Sequence, residues 1–536
     1  MRKRVSVGLA VLIVLASVGP MVGVAERPAA VDTDTEDEVV SQRADPEGDP
    51  IGWEGGYWHN ESIDVDQSDG LTDEELDAYV SRAMARVEYI RRTEFDSEVP
   101  VEVISRDEFQ QRSAENRSSN ASYDAWNDQV WEALFVIGED QGANDALQSA
   151  SGEATAGFYA PGDDRIRIIT DSPDSPTIDN ATLVHELVHA MQDQNGNLGE
   201  RISSAETQDT DLAVDGVVEG EANYVERQYT QRCEGEWQCV ETPSSDSGPG
   251  EPPNLGILLT LLQPYSDGPV YIDWLLEQGG WDAVDAAFDD PPASSEQVIH
   301  RTDEPPTPIE YEDRARNGWE TFPDQGENGS DTVGEASMYV MFWYQARTAR
   351  ADTIPVRSVT RTTSPLDMYN YEAEPSAGWG NDRVFPYQRT EGGETQYGYV
   401  WATEWDTEED ATEFVRAYGA ILEAQGVPEV NGEGQYVIPD GEFADAFRID
   451  RDGTRVTIVN GPTPDAVEDI RPTDVGSTDG TDDDASDTTA SAGDDDTATA
   501  STDDGGSTGL EAPGFGALTA VLAVLGVALA VARRRD

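Results

Sequence analysis

Two of the four histidines in the 536-residue chain stand four positions apart, around a glutamate. His185, Glu186 and His189 lie in the stretch NATLVHELVHAMQDQ, residues 180–194, in the order His-Glu-x-x-His. On a helix, positions i and i+4 share one face, so both imidazoles can reach one cation. Zinc is the cation that such ligands most often bind, and a glutamate after the first histidine suits a general base. Chance placement on an amphipathic helix is the alternative.

The third ligand that a catalytic zinc site needs is expected to be a carboxylate. Two histidines are already used, and His59 lies near a flexible end. The stretch DLAVDGVVEGEANYVERQY, residues 211–229, has apolar residues on one side of a predicted helix and carries Glu219 and Glu221. For either glutamate, a solvated helix surface is the alternative interpretation.

The elements that must position these residues are mainly helical. Apolar residues near a 3.6-residue period predict a long helix over 71–95. A short strand, VPVEVIS, and a tryptophan-bearing helix, YDAWNDQVWEALFVI, follow it. Further helical patterns lie at 211–231, 253–263, 268–278, 280–288 and 331–347.

A hairpin is predicted just before the His-Glu-x-x-His helix. Two alternating runs flank Pro161-Gly162-Asp163-Asp164 in the stretch 154–170. An exposed strand beside the metal helix would be able to hold an extended peptide by adding it to the sheet. We expect the backbone near Arg165–Ile169 to align such a peptide.

The later part of the chain has a different pattern. Strand, turn, strand and helix are predicted over GWGNDRVFPYQRTEGGETQYGYVWATEWDTEEDATEFVRAYGAIL, and another hairpin turns at Asp452-Gly453. The predicted fold class is therefore α+β. We expect a mainly helical domain over 51–350, a linker over 351–375 and a small α+β module over 376–467.

Both ends of the chain carry targeting patterns. Residues 1–25 have a basic start, an apolar run and small residues, which predicts a secretory signal peptide. Residues 26–50 form a flexible acidic leader, and 468–512, almost wholly Asp, Thr, Ser, Gly and Ala, predict a disordered stalk. Residues 513–536 hold Pro-Gly-Phe, an apolar membrane segment and a final group of arginines.

This arrangement of stalk, Pro-Gly-Phe and apolar segment resembles the PGF-type sorting tail of haloarchaeal surface proteins. The resemblance implies that an archaeosortase removes the segment and that a lipid anchor replaces it. A plain transmembrane anchor is the alternative. Either anchor would leave the chain at the outer face of the membrane, because the terminal arginines mark the inner side.

The charge of the chain excludes one class of partner. Asp and Glu number 108 against 34 Lys and Arg, which gives a formal net charge of -74, and Lys3 is the only lysine. Nucleic-acid binding is excluded, because it needs a positive surface. An acidic surface suits concentrated salt, where charges are screened over about 3 Å at 1 M. An acidic binding surface is the alternative.

Other features fit an exported protein. The only two cysteines, Cys233 and Cys239, are predicted to form a disulfide outside the cell. Sequons permit N-glycosylation, although the one at Asn180 lies too close to His185 for us to expect its use. The sequons stand at Asn60, Asn116, Asn120, Asn180 and Asn328.

The second ligand-bearing stretch resembles that of the gluzincin metallopeptidases, whose second helix supplies a glutamate in settings such as Glu-Gly-x-Ala. Residues 219–222 match that pattern, so the resemblance implies Glu219 as the third zinc ligand, with Glu221 as the alternative. Four residues after Glu219, thermolysin-like enzymes carry an aspartate that orients a ligand histidine. The chain has Asn223 there, and an asparagine is able to accept an imidazole N–H.

The resemblance also implies a hydrogen-bond donor to the tetrahedral intermediate, a part that gluzincins give to a histidine or tyrosine. The segment 268–300 is similar to one found downstream of such motifs in uncharacterised bacterial and archaeal His-Glu-x-x-His proteins. It ends at His300, the candidate donor, with a packed loop histidine as the alternative. Tyr265 and Tyr271 are weaker candidates.

The expected function is that of a cell-surface, gluzincin-type zinc metallopeptidase. His185, His189 and Glu219 would bind Zn²⁺, and Glu186 would be the general base. The expected partners are a peptide or protein substrate, the membrane through the tail or its lipid, and an archaeosortase. The alternative is a non-catalytic surface adhesion or cell-envelope-binding protein that keeps a zincin fold. A folded part that only spaces glycans on the stalk is a third hypothesis.

Overall fold

The structure is a computed structural model that describes residues 46, 48–115, 120–152, 156–241, 253–426 and 434–473. The predicted signal peptide and the apolar C-terminal segment lie outside these ranges, as does almost all of the predicted stalk. Among the described residues, no helix has both the length and the apolar character to cross a membrane.

The described residues contain helices of widely different lengths. They are α1 (Asp73–Arg91), α2 (Arg106–Glu115), α3 (Ala121–Ala133), α4 (Ala143–Gly152), α5 (Asn180–Gly196), α6 (Leu198–Ile202), α7 (Gln208–Cys233), α8 (Leu255–Leu261), α9 (Gln263–Gly279), α10 (Trp281–Asp289), α11 (Ser295–His300), α12 (Gly334–Thr348), α13 (Glu408–Ala424) and α14 (Pro464–Ile470).

The strands are concentrated in three groups. They are β1 (Trp53–Glu54), β2 (Tyr57–Trp58), β3 (Val101–Ser105), β4 (Gly157–Ala160), β5 (Arg165–Thr170), β6 (Glu320–Thr321), β7 (Trp379–Glu391), β8 (Glu394–Trp405), β9 (Gln435–Val437), β10 (Ala446–Asp452) and β11 (Arg455–Gly461). The fold is α+β, with a mainly helical N-terminal region and a six-stranded antiparallel sheet in the C-terminal region.

Helix α1 shows how local sequence sets the ends of a helix. Thr72 accepts a hydrogen bond from the N–H of Glu75, whose carboxylate accepts from the N–H of Thr72, so the two residues form a capping box. The helix ends before the predicted residue 95, because Arg92 adopts a left-handed conformation with φ 62°.

The hairpin predicted before the His-Glu-x-x-His helix, α5, is present as β4 and β5, but it belongs to a sheet of three strands. The strand order is β3-β5-β4, with β3 parallel and β4 antiparallel to β5. The expected role of Arg165–Ile169 is therefore wrong, since β5 is paired on both sides. Strand β4 is the edge. The periodicity of β3 predicts a strand but not its partner, and this pairing joins residues 65 positions apart in the chain, such as Val101 and Ile166.

The C-terminal sheet has the order β6-β7-β8-β11-β10-β9. Its two predicted hairpins are present, β7–β8 and β10–β11, and Gly453 occupies the second turn with φ 65°. Strand β6 precedes the predicted linker in the chain, yet it pairs with β7 and so belongs to this sheet. Helix α14 extends the fold past residue 467, the predicted end of the module.

The sheet and the helical region share one hydrophobic core. It includes Trp126 of α3, Trp343 of α12 and Trp401 of β8. Val359 and Tyr371, from the segment expected to be a linker, are buried in the same core. A second core surrounds α1, α5 and α7 and contains the apolar neighbours of the His-Glu-x-x-His motif. The predicted disulfide between Cys233 and Cys239 is formed.

Candidate metal centre

Helix α5 carries the His-Glu-x-x-His motif in the interior of the protein. Asp179 caps it, and its side chain accepts hydrogen bonds from the N–H groups of Ala181 and Thr182. The apolar residues of the helix, Val184, Leu187, Val188 and Met191, are buried. The side chains of His185, Glu186 and His189 have no exposed surface.

Helix α7 brings the third ligand candidate to the two imidazoles. Glu219 Oε2 lies 3.0 Å from His185 Nε2 and 3.5 Å from His189 Nε2. One ligand atom from each of the three residues lies within 4.8 Å of the others, so the group could hold a metal ion. We call these three residues the metal cluster.

Glu221, the alternative ligand, faces other partners. It forms an ion pair with Arg91 of α1 and accepts a hydrogen bond from Gln192 Nε2, 2.9 Å away. Two residues along a helix point about 200° apart, so Glu219 and Glu221 do not share a face of α7. The structure thus brings Glu219, and not Glu221, to the imidazoles.

The outer nitrogen of each imidazole has its own partner. His189 Nδ1 lies 2.8 Å from Gln192 Oε1. His185 Nδ1 lies 3.6 Å from Glu226 Oε2, slightly longer than a hydrogen bond, and both atoms are buried without another hydrogen-bond partner. Such outer partners fix the orientation of ligand histidines in metal sites.

Glu226 takes the place that Asn223 was expected to fill. The side-chain amide of Asn223 donates instead to the backbone oxygen of Glu219, 3.1 Å away. Glu226 stands seven residues after Glu219, close to two helical turns, so both carboxylates lie on one face of α7. That spacing is visible in the sequence, but the gluzincin resemblance indicates only the position four residues after Glu219.

Glu186 lies against the edge strand. Its Oε2 accepts a hydrogen bond from the backbone N–H of Tyr159, 2.8 Å away, while Oε1 is buried without a hydrogen-bond partner. Burial raises the pKa of this carboxyl group, although His185 and His189 oppose the effect. One oxygen is therefore held and the other is available for proton transfer.

The charges of the metal cluster compensate one another. Burial favours the neutral forms, but Glu219 and Glu226 outweigh it at His185 and raise the pKa of that imidazole to about 10. At Glu219 the two histidines outweigh burial and lower the pKa of the carboxyl group. A buried carboxylate that stays ionised is suited to bind a cation, which would compete with the imidazole proton.

The donor set fits zinc. Two imidazoles and one carboxylate are the three protein ligands of many catalytic zinc sites. His189 Nε2 and Glu186 Oε1 are both buried without a hydrogen-bond partner. An unsatisfied buried polar atom costs about 1–3 kcal/mol, so these atoms are better explained by a cation and a polar ligand in the cluster.

Helix α9 places Tyr265, one of the weaker donor candidates, beside the metal cluster. The Tyr265 ring lies 6.4 Å from the His185 ring, centroid to centroid, with 13° between the planes. The approach depends on glycines, since a Cβ on Gly220 of α7 would lie 2.6 Å from the carbonyl carbon of Gly268 of α9. Backbone therefore meets backbone at this crossing.

The other two donor candidates have different surroundings. His300 ends α11, and its Nε2 lies 2.8 Å from Glu335 Oε2 of α12. The pKa of His300 is raised to about 9, mainly by its hydrogen bond to the carboxylate of Glu335. Tyr271 packs against Trp274 instead. Of the three candidates, Tyr265 is the one that the structure places in contact with a cluster residue.

Strand β4 presents its outer edge to the motif. Phe158 pairs with Arg167, and the N–H of Ile169 donates to Ala156 O, so the backbone groups of Tyr159 point away from β5. The hydrogen bond from Tyr159 N–H to Glu186 shows that the unpaired edge of β4 faces helix α5. Since the side chain of Glu186 has no exposed surface, a peptide would reach it only if neighbouring elements move apart.

A family model described as a domain of unknown function, DUF8575, matches residues 320–471. The match runs from β6 to the residue after α14 and includes α12 and the six-stranded sheet. No curated protein matches the chain. No solved structure matches it. The metal cluster lies before the matched residues, so the family match gives no information about it.

Proposed function

We propose that the chain is a zinc-dependent metallopeptidase of the gluzincin type. The proposal is supported chiefly by the close approach of the ligand atoms of His185, His189 and Glu219. Glu186 follows His185 directly, and its Oε1 has no hydrogen-bond partner. A purely structural site does not require that glutamate. The α+β fold, with a helix and an edge strand at the motif, is compatible with a zincin domain.

The roles of the side chains follow from their positions. Zinc, when bound, would polarise the scissile carbonyl and lower the pKa of water. Glu186 Oε1 would accept a proton from the attacking water and pass it to the leaving amine, while Tyr159 N–H holds Oε2. Tyr265 would donate a hydrogen bond to the oxygen that becomes negative. The outer edge of β4 would align an extended substrate.

The proposed setting is the outer face of the cell membrane. It rests on the signal-like N-terminus, the Asp/Thr/Ser-rich stretch and the PGF-type tail, most of which lie outside the described residues. A disulfide between Cys233 and Cys239 agrees with an oxidising environment. The substrate would then be an extracellular peptide or protein, and the archaeosortase and membrane are the other proposed partners.

A second candidate function is a non-catalytic surface protein in which the metal is structural. The complete burial of His185, Glu186 and His189 favours it, since no substrate reaches the motif in the conformation described. Structural zinc sites are closed, whereas catalytic ones keep one position open. The two candidates therefore differ in whether Glu186 contributes to any reaction.

The deciding experiment measures zinc content and cleavage of an unfolded protein on the same samples. It compares the full chain, in molar salt, with Glu186→Gln and His189→Ala. The peptidase proposal expects about one zinc in the wild type and in Glu186→Gln, none in His189→Ala, and cleavage only by the wild type. General-base loss should lower the rate by about 10²–10⁴-fold.

The other outcomes separate the two candidates. Zinc in the wild type without cleavage of several substrates would support the structural metal. Cleavage that persists in Glu186→Gln would contradict the assigned general base. A wild-type chain that takes up no zinc would contradict both candidates.

A further inference from the structure

Gln192 of α5 lies between one imidazole of the metal cluster and helix α7. Its side chain is buried, with Oε1 2.8 Å from His189 Nδ1. Its Nε2 donates to the backbone oxygen of Val218, at 3.0 Å, and to Glu221 Oε2, at 2.9 Å. One amide thus contacts a ring nitrogen on one side and two oxygens of α7 on the other.

These contacts leave one orientation for the amide. A backbone carbonyl only accepts hydrogen bonds, so the amide nitrogen of Gln192 must face Val218. The amide oxygen must then face His189, and because it also only accepts, Nδ1 must carry a proton. In the neutral ring the lone pair is left at Nε2, the buried nitrogen without a hydrogen-bond partner, 3.5 Å from Glu219 Oε2.

The orientation is reinforced from outside α5. Glu221 forms an ion pair with Arg91 of α1, which also pairs with Asp285 of α10. The guanidinium of Arg91 lies 4.4 Å from the centroid of the Trp281 ring. Two further helices, α1 and α10, therefore hold the acceptor that faces Gln192.

We propose that Gln192 is a positioning residue that keeps His189 in the tautomer able to bind a metal. The proposal rests on the proposed zinc site and adds a residue that acts through His189. Without an acceptor at Nδ1, the proton is free to move to Nε2 and donate to Glu219. The lone pair that a metal needs would then be lost.

The test measures the tautomer and the zinc affinity separately. In the full chain, labelled with ¹⁵N-histidine and free of metal, only four rings contribute to the spectrum, and the ring-nitrogen shifts show which nitrogen of His189 carries the proton. Zinc affinity is measured by competition with a chromophoric chelator. The variants are Gln192→Leu, the exchange Gln192→Glu with Glu221→Gln, and the control Gln194→Leu.

The control and the exchange isolate the proposed role. Gln194 lies on the same helix but accepts hydrogen bonds from the backbone of Asp96 and Ser97, so its loss should change neither tautomer nor affinity. In the exchange, the carboxylate at position 192 accepts from both His189 Nδ1 and the new amide at position 221, while Val218 O loses its donor and Arg91 loses one carboxylate partner. It should keep the wild-type tautomer of His189 and bind zinc more tightly than Gln192→Leu does.

We expect Nδ1–H in the wild type, a shift to Nε2–H in Gln192→Leu, and zinc binding weaker by roughly 10–100-fold in that variant. A neutral wild-type ring with its proton on Nε2 and none on Nδ1 would overturn the proposal, as would Gln192→Leu with unchanged tautomer and affinity. If Gln192→Leu does not fold, the exchange decides, and an Nε2–H tautomer there refutes the role. Absence of zinc in the wild type contradicts the proposed function, whereas the metal-free tautomer still tests Gln192.

Discussion

Where α5 meets α7, two imidazoles and Glu219 converge with no exposed surface on either ring. Where α11 meets α12, the single imidazole of His300 pairs with buried Glu335 and keeps 32% of its side chain exposed. Both sites join histidine to a buried carboxylate. The difference is that the first has three ligand atoms within reach of one cation, and the second is a simple ion pair. The candidate metal site therefore differs from the ion pair in how many ligand atoms come close together, and not in the types of residue that supply them.

The largest contrast is expected in metal binding by the two sites. His189→Ala should abolish stoichiometric zinc binding, because it removes one of the three proposed ligands. His300→Ala should leave zinc content unchanged. The measurement is zinc per chain after dialysis. Zinc lost from His300→Ala, with the fold intact by circular dichroism, would show that the two sites are coupled.

A smaller effect is expected at the outer partner of His185. Glu226→Gln keeps the size of the side chain but removes the charge that faces His185 Nδ1, 3.6 Å away. Zinc binding should weaken by roughly 10–100-fold, as is usual for outer-sphere partners. Chelator competition measures it, with Glu335→Gln as the matched control at the other site. An unchanged affinity in Glu226→Gln would remove Glu226 from the description of the metal cluster.

The smallest effect concerns pH and the second site. The pKa of His300 is raised from 6.5 to about 9, chiefly by its hydrogen bond to Glu335. A raised histidine pKa gives stability that is complete below about pH 6.5 and lost as the pH rises through about 9. The difference in melting temperature between wild type and His300→Gln should therefore shrink across that window.

The comparison with His300→Gln is needed because other groups titrate in the same direction. Burial raises the pKa of Glu88 to about 9 and that of Glu54 to about 7. Their protonated forms also favour the folded state at low pH, so the wild type alone would lose stability as the pH rises. A constant difference between wild type and His300→Gln would contradict the assigned pair.

Local sequence patterns predicted the helices and strands better than the contacts that these elements make with one another. The helix around His185, the hairpin before it, the helical stretch with Glu219 and the disulfide are all present, since each depends on neighbours in sequence. The parallel pairing of β3 with β5 was missed, and so was the burial of Val359 and Tyr371 in the shared core. Both depend on contacts between distant segments.

The site shows the same limit. Spacing alone placed two imidazoles on one face of α5, and the Glu-Gly-x-Ala motif pointed to Glu219. The partners of the rings were not predicted, because Gln192 and Glu226 act through the crossing of α5 and α7. His300 was selected for its position at the end of a segment, and its partner Glu335 lies on another helix.

The glycine of the Glu-Gly-x-Ala motif, Gly220, sets how closely two helices approach. Gly220 is a residue without a side chain at a point where α7 touches the backbone of α9. A single methyl group there would force the two helices apart and move Tyr265 away from His185. The motif therefore specifies a candidate ligand and a distance between helices in the same four residues, so a substitution that leaves every polar group in place would still alter the geometry of the candidate centre.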